Sequence, residues 1–292
     1  MNFLSTKSYQ IVDTPPPAME WPKYAALVDQ QWTTLLNSAE GLDEAPIQKF
    51  LETHPCMVPG ARSASESCGH LPFPAALITQ PKLPGFSHKI PDFMWLAADS
   101  ASIYPVLIEI EAPRKKLFTE YGQQTAAFTQ AHKQLLDWKT WFDDPINQQQ
   151  FMSHYDPPHR AFRKVVPQFV LIFGRRSEFE ADKELSKLRG NLMRPGEFLI
   201  SFDRLGPIAT SSQYITVKSK KNGYRAVSIP ATFENRPSAA TYRSYIQGKE
   251  DVVDLSPFMS DDRKAFLKKR FSYWDDWARS GAGGPITMSD VE

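Results

Sequence analysis

The chain has 292 residues, 41% hydrophobic and 23% charged, with a net charge of +1, which suits one substantial core or a core plus an appended module. No run of about eighteen apolar residues occurs, and the opening MNFLSTKSYQ lacks the apolar stretch of a signal peptide. Membrane insertion and secretion are therefore disfavoured, and a cytoplasmic protein is expected. Near-neutral charge does not by itself mark a nucleic-acid binder. Any phosphate affinity has to come from local clusters: Arg114-Lys115-Lys116, Arg175-Arg176, Lys218 with Lys220-Lys221, and the stretch from Arg263 to Arg270.

In chain order, Thr14-Pro15-Pro16-Pro17 marks an extended arm. Residues 24–36 place Tyr24, Leu27, Val28, Trp32, Leu35 and Leu36 at helical spacing after Pro22. Asp43 is positioned to cap a second helix running to about residue 53, with Ile47, Phe50 and Leu51 on its buried face and Pro55 ending it. A small-residue, polar loop follows, bracketed by His54-Pro55-Cys56 and Cys68-Gly69-His70. These read as incidental loop residues with reduced thiols, and a four-ligand zinc site is the alternative. Residues 73–79 form a strand and 81–85 a turn.

Two β-branched or aromatic runs, 90–97 and 103–110, flank the short polar turn 98–102, the pattern of a hairpin. Alternation puts Glu109 and Glu111 on one face with Leu107, and Val106, Ile108 and Ile110 on the core face. Antiparallel pairing sets Asp92, at the start of the first strand, beside the glutamates. Three carboxylates at one strand end repel unless protons or a cation intervene, and Mg²⁺, with Mn²⁺ as a substitute, answers that need with few protein ligands. In this reading Asp92 and Glu109 are direct ligands and the Ile110 carbonyl completes the set. Glu111 either takes a proton from the attacking water or binds a second ion. A strand end whose glutamates pair with Arg114 and Lys115 is the blander alternative.

After Pro113, the patch Arg114, Lys115 and Lys116 steers phosphate, or Lys115 or Lys116 swings toward the acidic site. Residues 120–142 form the clearest helix, with the stripe Phe128, Ala131, Leu135, Trp138 and Phe142 and a neighbouring face of Gln130, Gln134 and Asp137. Residues 148–160 read as a polar, DNA-facing connection. Residues 165–173 return as a strand closing at Gly174, after which Arg175 and Arg176 emerge. A helix over 179–193 with Leu185 and Leu188 inward, a strand over 198–202, and a hairpin around Lys221-Asn222-Gly223 follow. Ser260 caps a basic aromatic helix carrying Phe266, Leu267, Phe271, Trp274 and Trp277, expected to dock on the core or on a second subunit, with DNA stacking second. The tail 280–292 reads as disordered. No Walker loop, HExxH helix or G-x-S-x-G elbow is present.

Pro91-Asp92 and, seventeen positions after Asp92, Glu109-Ile110-Glu111 resemble the PD-(D/E)xK nuclease signature with Glu in place of the usual Lys. Together with Phe50-Leu51-Glu52-Thr53-His54-Pro55, the strand ending Glu109-Ile110-Glu111-Ala112-Pro113, the helix bearing Gln134 and Asp137-Trp138, and Leu171-Ile172-Phe173-Gly174-Arg175-Arg176, the chain resembles the Shedu anti-phage defence family over roughly residues 42 to 205. Many members carry Lys where this chain has Glu111. The resemblance implies a mixed α/β fold with a restriction-endonuclease-like αβββαβ core. It divides the chain into an N-terminal arm and helix (1–41), a nuclease domain (42–230) and a C-terminal helical extension (231–292). It further implies a Mg²⁺-dependent DNA endonuclease acting as a homo-oligomer, a dimer or tetramer. Glu52 on the first helix would assist the metal site, Gln134 would lie near the reacting centre, and Arg114, Lys115, Lys116, Arg175 and Arg176 would face DNA. The rival is a catalytically silent nuclease-fold protein that binds DNA or a protein partner to sense infection. Cleavage of RNA is the third possibility.

Overall fold

The β-branched and aromatic runs in the middle of the chain build the sheet that carries every other element. In the computed structural model, which describes residues 9–85, 90–180, 182–221, 223–282 and 290–292, β1 (Phe73–Thr79), β2 (Phe93–Ala98) and β3 (Ser102–Ile110) form an antiparallel meander. Asp99 closes the β2–β3 turn: one carboxylate oxygen accepts from the Ala101 and Ser102 amides at 2.7 Å, and the other accepts from the Tyr104 hydroxyl at 2.9 Å. The two-residue β4 (Lys164–Val165) and then β5 (Gln168–Ile172) add parallel to β3, and β6 (Glu197–Ile200) adds parallel to β5. On the other side β7 (Ile215–Lys220) runs parallel to β1, followed by antiparallel β8 (Gly223–Ser228) and parallel β9 (Ile246–Gln247). The mixed sheet has the order β6-β5-β3-β2-β1-β7-β8-β9, with β4 beside β3. The β7–β8 hairpin is the one expected, although Asn222 of its turn lies outside the described residues.

From Val106 to Ile110, β3 is buried on both faces rather than on one as the alternation suggested. A central strand flanked by β2 and β5 is covered above and below, so Leu107 is as buried as Val106.

Helix α1 (Trp21–Leu36) buries Tyr24, Val28, Trp32 and Leu36 at four-residue spacing. Helix α2 (Glu44–Thr53) buries Ile47 and Leu51 and ends at His54, before Pro55. Asp43 stands at its N-cap position but makes no capping bond, because its carboxylate pairs with Arg114. Helix α3 (Ala126–Asp143) buries the expected stripe, and the Thr125 hydroxyl accepts from the Phe128 amide at 3.1 Å. It begins later than the spacing indicated, because Thr119 to Thr125 fold into a loop with Gly122 at φ +73°.

Three expectations are corrected further along. The Gln-rich stretch read as an open connection is helix α4 (Pro145–Tyr155), capped by Asp144 and burying Phe151, Met152 and Tyr155. The helix expected over 179–193 shortens to α5 (Lys183–Gly190), where Leu185 is partly buried and Leu188 is 45% exposed. After α6 (Pro237–Arg243) and α7 (Lys249–Val252), helix α8 (Asp261–Arg279) buries Arg263 and Arg270 with Trp274 and Trp277, so of the basic cluster from Arg263 to Arg270 only Lys268 and Lys269 stand exposed. Trp274 and Trp277 pack on Tyr9 and Ala240 of the same chain. The tail expectation changes as well: residues 283–289 lie outside the described residues, but Glu292 is buried in an ion pair with Arg263. Among the described residues no helix is long and apolar enough to cross a membrane.

Candidate active site

The β2–β3 ladder runs from Ala98 opposite Ile103 to Phe93 opposite Ile108. One further step brings Asp92 opposite Glu109. Asp92 is pinned at both ends: its carboxylate accepts from the Ile110 amide at 2.8 Å, and its carbonyl accepts from the Gln80 amide at 2.8 Å. Ile110 thus contributes its N–H to the site, where the sequence reading used its carbonyl. Glu109 is 8% exposed. Its Oε1 accepts from Gln134 Nε2 at 2.6 Å, while its Oε2 is buried and, the facing Asp92 carboxyl aside, has no hydrogen-bond partner among the described residues. Gln134 reaches it because it precedes Leu135 on α3, just beside the buried stripe that fixes the helix against the sheet.

The two carboxyl groups lie within hydrogen-bonding reach of each other. Burial is the largest cause holding both above the ordinary carboxylate range. Asp92 is pushed up to about 7, with the carboxylates of Glu44 and Glu111 adding to the rise and the Ile110 amide opposing it. Glu109 is raised well above its usual value by burial, then by Asp92, Glu111 and Glu44 in that order. Glu111 itself forms an ion pair with Lys115. The strand end therefore holds a carboxyl pair, with Glu111 set to one side under its own cation.

Glu44, in the first turn of α2, is the functional candidate that sequence reasoning missed. Its carboxyl is raised by burial and by Glu111, with Lys115 acting in the opposite direction. Its neighbour Asp43 carried the helix-start signal, and nothing in the spacing tied residue 44 to residues 92 and 109. Glu52, the acidic residue singled out on the same helix, accepts from the Thr79 hydroxyl at 2.5 Å and from Gln48 at 3.4 Å. It is not among the groups acting on the pair. Arg175 binds Asp203 at 2.9 Å and the Leu36 carbonyl at 2.8 Å, Arg176 lies 3.9 Å from Glu180, and Lys116 lines a cavity beside Lys115.

The zinc alternative is set aside. His54 Nδ1 shares a 2.9 Å hydrogen bond with the Tyr24 hydroxyl, His70 faces Ser100, and Cys56 and Cys68 are buried free thiols. Among the described residues no three His, Cys, Asp or Glu side chains converge into a metal cage. Asp92 and Glu109 nevertheless fit a hard divalent cation. Two facing buried carboxylates with no cation in ion-pair reach among the described residues suit an ion that takes oxygen ligands and completes its shell with water and phosphate.

The family model described as the C-terminal part of Shedu protein SduA matches residues 41–205. No curated protein matches the chain. The matched region spans more than half of the sequence and contains Glu44, Asp92, Glu109, Glu111, Lys115, Gln134 and Arg175, every side chain that shapes the strand end and its surroundings. On that match, the chain belongs to the Shedu family.

Proposed function

We propose that the chain is a Mg²⁺-dependent DNA endonuclease with a PD-(D/E)xK core. Family membership ties it to anti-phage defence. The observation that carries the nuclease reading is the buried Asp92–Glu109 pair, held by the Ile110 amide and Gln134 and facing each other with no cation in ion-pair reach among the described residues. The succession α2, β1, β2, β3, α3, β5 supports the core assignment, with α4 and β4 as additions.

Asp92 and Glu109 hold the cation, with Mn²⁺ able to replace Mg²⁺. When bound, the ion neutralises charge developing on the phosphate and acidifies the attacking water. Gln134 orients Glu109 by donating to its Oε1. Glu111 accepts the proton of the attacking water, and Lys115, in contact with it, keeps that carboxylate aimed. Lys115 thereby supplies a cation near the position where the usual motif carries Lys. Arg114, Lys116 and Arg176 face the DNA backbone, and Arg175, braced by Asp203, shapes the wall behind them. A dimer or tetramer built through surfaces other than Trp274 and Trp277 completes the reading, since both tryptophans are used within the chain.

One observation favours the silent rival: the Glu111–Lys115 pair leaves two carboxylates rather than three at the strand end. Incubating linear and supercoiled DNA with purified protein in Mg²⁺, Mn²⁺ or EDTA separates the two. Metal-dependent cutting that falls at least about 100-fold in Asp92→Asn and Glu109→Gln is expected. DNA binding that Glu109→Gln leaves intact, with no cutting by either form, would establish the rival. An RNA competitor in the same assay decides the nucleic acid.

A further inference from the structure

The basic cluster that the proposed chemistry leaves unused is Lys218, Lys220 and Lys221, at the tip of the β7–β8 hairpin and beyond residues 41–205 of the family match. Pairing places it at the same end of the sheet as the carboxyl pair. Asp92 precedes Phe93, Phe93 lies opposite Thr79, and Thr79 lies beside Lys218. Thr79 is the last residue of β1, so the hairpin runs on past that strand end with Lys220 and Lys221. Two strand spacings separate β7 from β2, roughly 10 Å. Lys218 is also tied to the site: its Nζ donates to the Gln80 side-chain oxygen at 2.7 Å, and the Gln80 amide donates to the Asp92 carbonyl at 2.8 Å.

All three lysines are exposed, and among the described residues none makes an ion pair. Gln80 is neutral, so the charge of Lys218 stays uncompensated. Lys218 and Lys220 share one face of β7, with Ser219 buried between them. Of the carboxylates that bear on the hairpin, Asp251 is taken by Arg225, which lies opposite Lys218, and Asp156 acts on Tyr224, on the other face. Uncompensated ammonium groups that overhang a strand end suit a polyanion with regularly spaced charges. Lys218 and Lys220 stand roughly 6.6 Å apart along the strand, a spacing that meets successive phosphates of one DNA strand. Arg176 follows β5, which lies four strand spacings, about 19 Å, from β7. The carboxyl pair therefore lies between two cationic walls set about a duplex's width apart. We infer that the β7–β8 hairpin is a second DNA-backbone contact, in which Lys218, Lys220 and Lys221 hold duplex phosphates on the side of the carboxyl pair opposite Arg176. The inference rests on the reading that the chain acts on DNA. At their separation from Asp92 the lysines hold the duplex and take no part in breaking the bond.

The test uses the full chain and a linear duplex in EDTA, where no cutting intervenes, with anisotropy read across a salt series. Each phosphate contact contributes about 0.9 to the slope of log affinity against log salt, so Lys220→Ala with Lys221→Ala should lower the slope by about 2 and weaken binding at least about tenfold. Thermal melts check that this variant folds, and Lys220→Gln with Lys221→Gln carries the same expectation if it does not. Lys23→Ala with Lys164→Ala removes two equal charges from exposed sites elsewhere, Lys164 beside Ser102 at the far end of β3, and should keep the parental slope. In Mg²⁺ the hairpin variant should raise KM at least about tenfold with kcat within about twofold. Parental slope and affinity in the hairpin variant would overturn the inference, as would an equal loss in the Lys23 and Lys164 variant, which would make net charge the cause. Duplex RNA that depends on the two lysines while duplex DNA does not would also overturn it. Cutting in Mg²⁺ that the hairpin variant leaves unchanged removes this inference alone, whereas a hairpin-dependent slope with no cutting by any form removes the nuclease reading and keeps the contact.

Discussion

Two clusters of buried charge in this fold follow opposite rules. Arg263, 1% exposed, meets both carboxylate oxygens of Glu292, at 2.5 and 2.6 Å, and donates to the Pro16 and Phe233 carbonyls at 2.8 Å. The fork joins the N-terminal arm, α8 and Glu292 through the two terminal guanidinium nitrogens, while Arg263 Nε has no partner among the described residues. At the end of β3, Asp92 and Glu109 face each other with no cation in ion-pair reach among the described residues, and burial and like charge both oppose their ionisation. The first cluster is what a chain builds to hold itself together. The second opposes the fold wherever both groups ionise, and it is this cost that the proposed cation would offset.

The sharpest way to break that contrast is to remove one partner from each side. Arg263→Ala should lower the unfolding free energy by about 3–5 kcal/mol, since it leaves a carboxylate buried without its cation. Glu109→Gln should leave metal-free stability unchanged or higher. Denaturant melts of the two variants in EDTA check both signs.

Titration gives the next effect. Asp92 has a folded value of about 7 against an ordinary 3.8, so between those values the folded chain holds more protons than the unfolded one. Its contribution is fully present below about pH 4 and is lost as pH rises through 7, on the order of 4 kcal/mol. His54 runs the other way, because burial lowers it from 6.5 to about 4. Its contribution is present above about 6.5 and is lost as pH falls through 4, about 3 kcal/mol. In the metal-free wild type Asp92 and Glu109, both raised, oppose His54 over the same window. Asp92→Asn should reduce the loss of stability as pH rises, and His54→Gln should steepen it, in melts from pH 4 to 8.

The smallest effect belongs to Glu44→Gln. Removing one repelling carboxylate from a half-exposed helix turn should raise metal-free stability at pH 8 by roughly 0.5 kcal/mol and lower the pair's titration midpoint. Carboxyl chemical shifts measured by NMR would register the change.

The hairpin and α3 were legible because their information is local. Alternation across residues 90–110 sets the pairing, the pairing sets Asp92 against Glu109, and the Phe128 to Phe142 stripe turns Gln134 toward the same place. Where the information is spread through space the sequence was silent. Helix α4 hides behind three consecutive glutamines, with its buried apolar residues confined to the last turns. Arg263 looks like one more surface cation in a basic helix until Glu292, distant in sequence, is placed upon it. The Lys115–Glu111 contact was foreseen in two forms, as a pairing that replaces a metal site and as Lys115 swinging toward one, and the structure has the pair and the buried Asp92–Glu109 couple side by side. Glu44 needed three-dimensional proximity to Asp92 before it meant anything.

The Ile110 amide that holds Asp92 belongs to the same ladder that aligns the two strands, so the site's geometry comes in whole steps. Adding or deleting one residue inside β2 or β3 would turn Asp92 to the opposite face from Glu109. The turn closed by Asp99 lies six paired positions away, roughly 20 Å at 3.4 Å per residue. Changes in length are harmless there and ruinous near Asp92, so an insertion scan along the hairpin should trace a gradient of tolerance from one end of the strands to the other.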